Sequence, residues 1–298
     1  MGTNNEMEQD FTRIAMQTSM VSLIGNSMLS FGKLAAGLLA HSGAMVSDAI
    51  HSASDVCSTI IVMIGVRLSG KSSDKEHPYG HERLECVAAI LLAVILSLTG
   101  LGIGASALSA LIQADTRTPV IPGILAGIAA IVSIVVKEGM FRYTRHFARK
   151  IDSGALMADA WHHRSDALSS VGALVGIAGA RLGFPLADPL ASLVICIFIE
   201  KAAVEIFKDA IDKMVDKSCD EETEQTLREF ILQQDGVLGI DLLQTRLFGN
   251  KIYVDTEICV DGQKTLQEAH AIAETVHRSI EQSFPKVKHI MVHVNPVE

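Results

Sequence analysis

The sequence carries one eight-residue pattern twice, as DAIHSASD at residues 48–55 and as DAWHHRSD at residues 159–166. Both copies read D-A-x-H-x-x-S-D, and each lies inside a long apolar stretch. Two polar copies in apolar segments, three segments apart, indicate an internal repeat whose copies cross a bilayer in opposite directions. The pattern therefore predicts a membrane domain of repeated helices around a polar centre.

The chain has six apolar stretches, two of which contain these copies. Each is long enough to cross a hydrocarbon core of about 30 Å, which takes roughly 20 helical residues. They cover residues 14–40, 43–68, 84–111, 119–141, 155–182 and 186–207. Several carry Ser, Gly, His or Asp, as expected of helices that pack against one another as well as against the lipid bilayer. We expect an all-α domain of six transmembrane helices at residues 14–215, preceded by a cytoplasmic tail at residues 1–13.

The composition excludes several other classes of protein. Of the 298 residues, 49% are hydrophobic and only 20% are charged, which is too apolar for an ordinary soluble protein. A net charge of -9 and 5% aromatic residues argue against a nucleic acid partner. The five cysteines form no C-x-x-C pair, so neither a disulfide framework nor a zinc finger is indicated. A cationic partner fits better.

Positive charge indicates the orientation in the membrane. Lysine and arginine cluster after the second and fourth apolar stretches, in the set Arg67, Lys71, Lys75, Arg83, Arg142, Arg145, Arg149 and Lys150. The opposite loops carry little positive charge. Because such residues stay on the cytoplasmic side, both termini are expected in the cytoplasm.

Residues 216–298 have the pattern of a small cytoplasmic α+β domain. Their periodicity predicts the order αββαβ, with helices at 221–232 and 263–284 and strands at 237–248, 251–260 and 287–294. A Gly249-Asn250 turn joins the first two strands.

The spacing of the repeat predicts a metal site. Residues four apart lie on one helix face, so His51 with Asp55 and His162 with Asp166 form two clamps. Two imidazoles and two carboxylates match the tetrahedral ligand set of Zn²⁺, and the carboxylates balance its charge. The alternative is a set of buried polar groups that join helices, although each such hydrogen bond contributes only about 0.6 to 2 kcal/mol.

Two further aspartates, Asp48 and Asp159, fall close to the same helix faces. They are expected either to support the ligands or line an ion path, or to be purely structural. A membrane-anchored metal sensor is one alternative reading of the chain, but it leaves the repeated intramembrane ligands unexplained. An intramembrane metallohydrolase is weaker, because the site has no open position for water and H-E-x-x-H is absent.

These motifs resemble the cation diffusion facilitator family, specifically its bacterial branch of zinc or iron exporters. The resemblance implies a homodimer in the bacterial inner membrane that exports divalent metal from the cytoplasm by alternating access, driven by inward proton flow. It also implies a metallochaperone-like tail and no enzymatic activity. His51, Asp55, His162 and Asp166 match the family's transport motif, and manganese-selective members tend to have Asn there. Zn²⁺ is therefore the first choice of substrate, with Fe²⁺ and other divalent metals as possible alternatives.

Histidine ligands offer a way to couple metal to protons. Each ligand must be deprotonated to coordinate, and the unperturbed imidazole pKa is about 6.5. We hypothesise that His51 and His162 take up protons as the outward-facing site loses its metal.

The loop after the second span contains three potential ligands within eight residues, Asp74, His77 and His81. They could bind one zinc ion and leave a position for water. The loop is similar to the family's D-x-x-H-x-x-x-H segment, which implies a second, weaker site. The alternative is a solvated polar turn broken by Pro78 and Gly80.

The tail departs from the family's pattern. His270 and His293 match two histidines of its tail cluster, but Asp241, Glu257 and Asn295 stand where zinc exporters often have His, His and Asp. Oxygen ligands weaken the preference for a borderline-soft metal. We expect one regulatory metal bound by Asp241, Glu257, His270 and His293, or else surface histidines without a ligand role.

The resemblance also implies an ion pair between the membrane domain and the tail. Arg83 lies where the family has a basic residue, and Asp216 fits the acid after the sixth span. Such a pair would join the two domains at their hinge.

Overall fold

The computed structural model describes residues 2–39, 43–113, 124–181 and 186–297. The chain divides into two compact units, one of residues 11–210 and one of residues 211–298 with 1–10. The first unit is helical and the second contains the sheet.

Six long helices form the membrane part of the described chain: α1 (Gly2–Leu39), α2 (Gly43–Ser69), α3 (Arg83–Gln113), α4 (Ile124–Ile151), α5 (Gly154–Arg181) and α6 (Ala187–Met214). They match the six predicted stretches in order and nearly in extent. The first helix begins at Gly2, so residues 2–13 are helical, and their location in the cytoplasm stays a prediction. Polarity alone does not end a helix, and no Pro or Gly breaker lies between residues 3 and 13. The predicted start of the fourth span lies outside the described residues.

Large apolar side chains cover the outer faces of these helices. Met28 and Phe31 on α1, Leu98 on α3 and Ile197 and Phe198 on α6 are all more than half exposed. A continuous apolar surface of this kind indicates contact with lipid. Among the described residues, one helix, Arg83–Ile112, is long and apolar enough by itself to cross a membrane. The polar motif makes α2 and α5 less apolar than this helix.

The centre of the helical unit is tightly packed. Helix α5 packs against α2, α3 and α4, and Leu92, Leu96 and Leu156 are fully buried in the shared core. A Cβ atom added to Gly65 on α2 would overlap the Cβ atom of Ala88 on α3. These two helices therefore approach too closely at this point for a larger residue on α2.

The tail has the predicted order αββαβ: α7 (Glu221–Leu232), β1 (Gly239–Phe248), β2 (Lys251–Asp261), α8 (Leu266–Ser283) and β3 (Val287–Val297). The sheet order is β1-β2-β3, with β1 antiparallel to β2 and β2 parallel to β3. Asp220 caps α7, and Thr265 with Glu268 forms a capping box at α8. The two helices and the sheet share an apolar core that includes Leu227, Ile258 and Ile280.

Candidate metal centre

Three of the four predicted transport ligands lie together in the helical unit. Asp55 on α2 and His162 and Asp166 on α5 have ligand atoms that all lie within 4.8 Å of one another. The His162 Nε2 atom lies 3.3 Å from the Asp55 Oδ1 atom. Asp55 and His162 are only 2% and 6% exposed, so this ligand group is shielded from water. The side chain of His51, the fourth predicted ligand, lies outside the described residues, as does that of Asp48.

A lysine lies inside this group. The Lys137 Nζ atom on α4 donates to the Asp55 Oδ2 atom at 2.6 Å and to the Asp166 Oδ2 atom at 2.7 Å. It also donates to the Asn26 Oδ1 atom on α1 at 2.9 Å. Lys137 is only 1% exposed. An ammonium group thus bridges the two carboxylates that the sequence assigns to a doubly charged ion.

Lys137 is a candidate functional residue that was not predicted from the sequence. It stands in the apolar run IVSIVVKEGMF at residues 131–141, inside the fourth predicted span. A charged residue at membrane depth is expensive and therefore indicates a function and a partner of opposite charge. That signal was available from the sequence, whereas the identity of the partners required the positions of α1, α2 and α5 around α4.

Asp159 lies in a neighbouring polar cluster. Its Oδ1 atom accepts a hydrogen bond from the Thr59 hydroxyl at 3.3 Å, and its Oδ2 atom lies 3.4 Å from the His163 Nε2 atom. The same His163 atom lies 3.1 Å from the Ser22 hydroxyl. The adjacent histidines 162 and 163 thus serve different clusters. The arrangement suits the supporting role that the sequence suggests for Asp159.

The structure also brings together the three predicted loop ligands. The ligand atoms of Asp74, His77 and His81 lie within 4.8 Å of one another, and the two imidazole ring centres are 4.6 Å apart. The Lys71 Nζ atom donates to the Asp74 Oδ2 atom at 2.6 Å. The Asp74 Oδ1 atom accepts the backbone N–H groups of Glu76 and His77. These contacts fix the loop around the Asp74 carboxylate.

We expect the charge of Asp74 to be constant near neutral pH. The hydrogen bond from Lys71, followed by the backbone hydrogen bond from His77, holds the pKa of Asp74 below its ordinary value. A lowered pKa keeps the carboxylate ionised until the pH falls below about 4. Asp74→Asn should therefore weaken Zn²⁺ binding by a similar factor, about tenfold or more, at every pH from about 5 to about 8. Isothermal titration calorimetry of the purified full-length protein with Zn²⁺, at several pH values in this range, measures the loss of affinity. If Asp74→Asn and the unmodified protein bound Zn²⁺ equally well at about pH 5, the prediction would be contradicted.

In the tail, two of the predicted ligands, Asp241 and Glu257, lie beside Asn295. The Asn295 amide donates to the Asp241 Oδ2 atom at 2.7 Å and to the Glu257 Oε2 atom at 3.1 Å. Hydrogen bonds from the Cys259 thiol and the Asn295 amide lower the pKa of Asp241. Among the described residues, the groups with metal-site geometry include neither of the predicted histidines, His270 and His293. The predicted pair of Arg83 and Asp216 joins residues of different units and stays a prediction.

Buried carboxylates and an imidazole, shared by two helices of an all-α domain with an apolar exterior, define a membrane protein that handles cations. Residues 19–215 match the family model of the cation efflux transmembrane domain, and residues 219–297 match that of the cation efflux protein cytoplasmic domain. The chain belongs to the cation diffusion facilitator family of divalent metal transporters.

Curated relatives agree with this assignment. Metal tolerance protein C1 of Arabidopsis thaliana is 37% identical over 90% of this chain, which spans 59% of the plant protein. The manganese efflux system protein MneP of Bacillus subtilis is 30% identical over 97% of this chain and 99% of its own. Magnetosome protein MamB of a Magnetospira strain is 34% identical over 88% of each chain. A solved structure of the MamM CTD in a cadmium form is 26% identical, with a TM-score of 0.26, over 26% of this chain and 98% of its own.

Proposed function

We propose that this protein is a Zn²⁺/proton antiporter that exports metal from the cytoplasm by alternating access. The observation that carries the proposal is the buried group of Asp55, His162 and Asp166 on two facing helices. The same proposal places a homodimer in the bacterial inner membrane with both termini in the cytoplasm. The match of the tail to the family's cytoplasmic domain, designated ZT_dimer, supports the homodimer.

Lys137 gives the proposed cycle an internal competitor for the metal. Its ammonium already bridges the carboxylates of Asp55 and Asp166. A Zn²⁺ ion that enters the group must take both carboxylates from the ammonium, and the return of the ammonium releases the ion. Competition of this kind weakens binding enough for release, which a transporter needs and a storage site does not. His51 is proposed as the fourth ligand, and protons taken up by the imidazoles favour release.

The ligand chemistry favours zinc over manganese as the substrate. Carboxylates suit Mn²⁺, whereas imidazole suits Zn²⁺, Fe²⁺ and Ni²⁺. His162 supplies a nitrogen ligand within the described group, and His51 is proposed to supply another. MneP is described as a manganese efflux protein, so Mn²⁺ is the comparison that matters most. Fe²⁺ is proposed as a second substrate.

Exchanging the nitrogen ligand for oxygen should shift metal preference. In His162→Asp, the group gains a third carboxylate and loses its imidazole, so we expect the ratio of Zn²⁺ to Mn²⁺ transport rates to fall about tenfold. Parallel uptake of both metals into proteoliposomes measures this ratio. His146→Asp, on the membrane unit but outside the metal group, is the control. An unchanged ratio in His162→Asp would show that His162 does not select the metal.

The proposed function is tested with purified protein in liposomes that contain a zinc-sensitive dye. With an imposed pH gradient, we expect Zn²⁺ flux whose rate falls when an ionophore collapses that gradient. A Zn²⁺ flux that does not depend on the pH gradient would contradict proton coupling. Tight Zn²⁺ binding with no flux under either condition would instead support the membrane-anchored sensor. Absence of both binding and flux would remove the proposal.

A further inference from the structure

The tail holds two imidazoles and one carboxylate that the efflux mechanism does not use. His277 and Glu281 lie one turn apart on α8, and His289 lies on β3. Their ligand atoms all lie within 4.8 Å of one another. The three residues are distinct from the predicted tail set around Asp241 and Glu257.

The amphipathic pattern of α8 positions two of these side chains. Val276 and Ile280 are fully buried against the sheet. His277 and Glu281 each follow one of these core residues by one position, which rotates them by about 100° to the edge of the buried face. They therefore lie along the flank of the helix, where solvent and the sheet meet.

An irregularity in the edge strand brings His289 to the same place. Ile252 on β2 pairs with Val287 on β3. The next residue, Tyr253, pairs with His289, which leaves Lys288 as an extra residue on β3. A bulge of this kind re-aims side chains and is common at sheet edges beside functional sites. Here it directs His289 toward α8, and Tyr253 packs against its ring with centres 6.3 Å apart.

Two of the ligand-atom distances suit a tetrahedral metal site as well as a hydrogen bond, and the third is at most 4.8 Å. The Glu281 Oε1 atom lies 3.2 Å from the His277 Nε2 atom and 3.2 Å from the His289 Nδ1 atom. Bonds of about 2.0 to 2.2 Å to Zn²⁺ separate neighbouring ligand atoms by about 3.3 Å. The two imidazole ring centres are 5.3 Å apart. The side chains are 29%, 30% and 44% exposed for His277, Glu281 and His289, so an ion can enter from solvent.

We propose that His277, Glu281 and His289 bind one Zn²⁺ ion, with water in the fourth position. Two imidazoles and a carboxylate form a ligand set that suits zinc. Because the ligands come from α8 and from the edge strand β3, the bound ion fastens the end of the helix to the start of the strand. The tail thereby responds to cytoplasmic zinc through its own fold. This inference goes beyond efflux and does not rest on it.

The test counts zinc bound to the full-length protein in detergent after dialysis against buffered Zn²⁺, with elemental analysis. The double variant His277→Gln with His289→Gln, and separately Glu281→Gln, should each lose one ion per chain. Glu274→Gln is the matched control, because Glu274 lies on the same helix but pairs with Arg278 at 2.7 Å. It should bind as much zinc as the unmodified protein.

A second measurement keeps the proposal testable if the double variant folds poorly. Zinc should slow hydrogen exchange at residues 287–290 in the unmodified protein and in Glu274→Gln, but not in Glu281→Gln. Equal zinc counts and equal protection in all variants would overturn the site. Loss of zinc in Glu281→Gln with no Zn²⁺ flux from the unmodified protein would support this site and reject the transport proposal alone.

Discussion

Asp166→Asn should almost abolish Zn²⁺ efflux while leaving the protein folded. The substitution removes one of the two carboxylates that the proposed site offers to a doubly charged ion. Loss of a hydrogen-bonding partner of a metal ligand alone costs about 10- to 100-fold in affinity, and loss of the ligand costs at least as much. We therefore expect flux into proteoliposomes to fall about 100-fold or more.

The charges of the cluster explain why the variant should fold. In the unmodified protein, two carboxylates face the single ammonium of Lys137. Asp166→Asn leaves Asp55 and Lys137 as a neutral pair, so neither of these buried charges is left without a partner. Glu200→Gln is the control, because Glu200 on α6 accepts a hydrogen bond from Ser97 outside the metal group. Normal Zn²⁺ flux in Asp166→Asn would show that Asp166 on α5 is not a ligand of the transported ion.

Lys137→Met should have the opposite effect on binding and a similar effect on transport. Methionine is similar in length and apolar, so the substitution removes the ammonium that competes with the metal. Two unit charges 4 Å apart interact with about 4 kcal/mol at an effective dielectric constant of 20. Removal of the repulsion between the Lys137 ammonium and the Zn²⁺ ion should raise Zn²⁺ affinity by about 10- to 1,000-fold. Slow release of the ion should then lower the turnover.

This variant should also make stability depend on metal. Without the ammonium, Asp55 and Asp166 are two buried carboxylates close together, which is unfavourable unless an ion lies between them. We expect the thermal unfolding temperature to fall in chelator and to recover in Zn²⁺. Lys150→Met, which removes an exposed lysine from the end of the same helix, is the control. Unchanged affinity and unchanged stability in Lys137→Met would show that the lysine is structural.

The sequence predicted the elements of this fold well because each one has a strong local pattern. The helix α7 was predicted at residues 221–232, where it lies, and the strands of the tail differ from prediction by a few residues at their ends. Apolar length fixed the six long helices, and the four-residue spacing of His162 and Asp166 fixed their common face.

Long-range contacts account for what the sequence did not predict. The pairing of Lys137 with Asp55 spans 82 positions and depends on where α4 lies relative to α2. The separation of His162 from His163 follows from helix rotation, since adjacent residues point about 100° apart. The cluster of His277, Glu281 and His289 depends on a bulge in β3, and no local sequence pattern predicts this bulge. Conversely, His270 and His293 matched a motif but do not share a metal-site group among the described residues.

Carboxylates at two of the predicted sites are held by lysine N–H donors, and those at the third by an amide. Lys137 bridges Asp55 and Asp166, Lys71 bonds to Asp74, and Asn295 bridges the two tail carboxylates. Each donor competes with a metal for the same oxygen atoms. A metal that binds at any of these proposed sites would therefore have to displace the donor from the carboxylate oxygen atoms.

The most direct test of the transport site is an anomalous difference map at the zinc absorption edge from the zinc-loaded protein. The account predicts a peak between α2 and α5 in contact with Asp55, His162 and Asp166, with the Lys137 Nζ atom displaced from both carboxylates. Zinc bound only elsewhere, with Lys137 still bridging Asp55 and Asp166 at saturating metal, would contradict it.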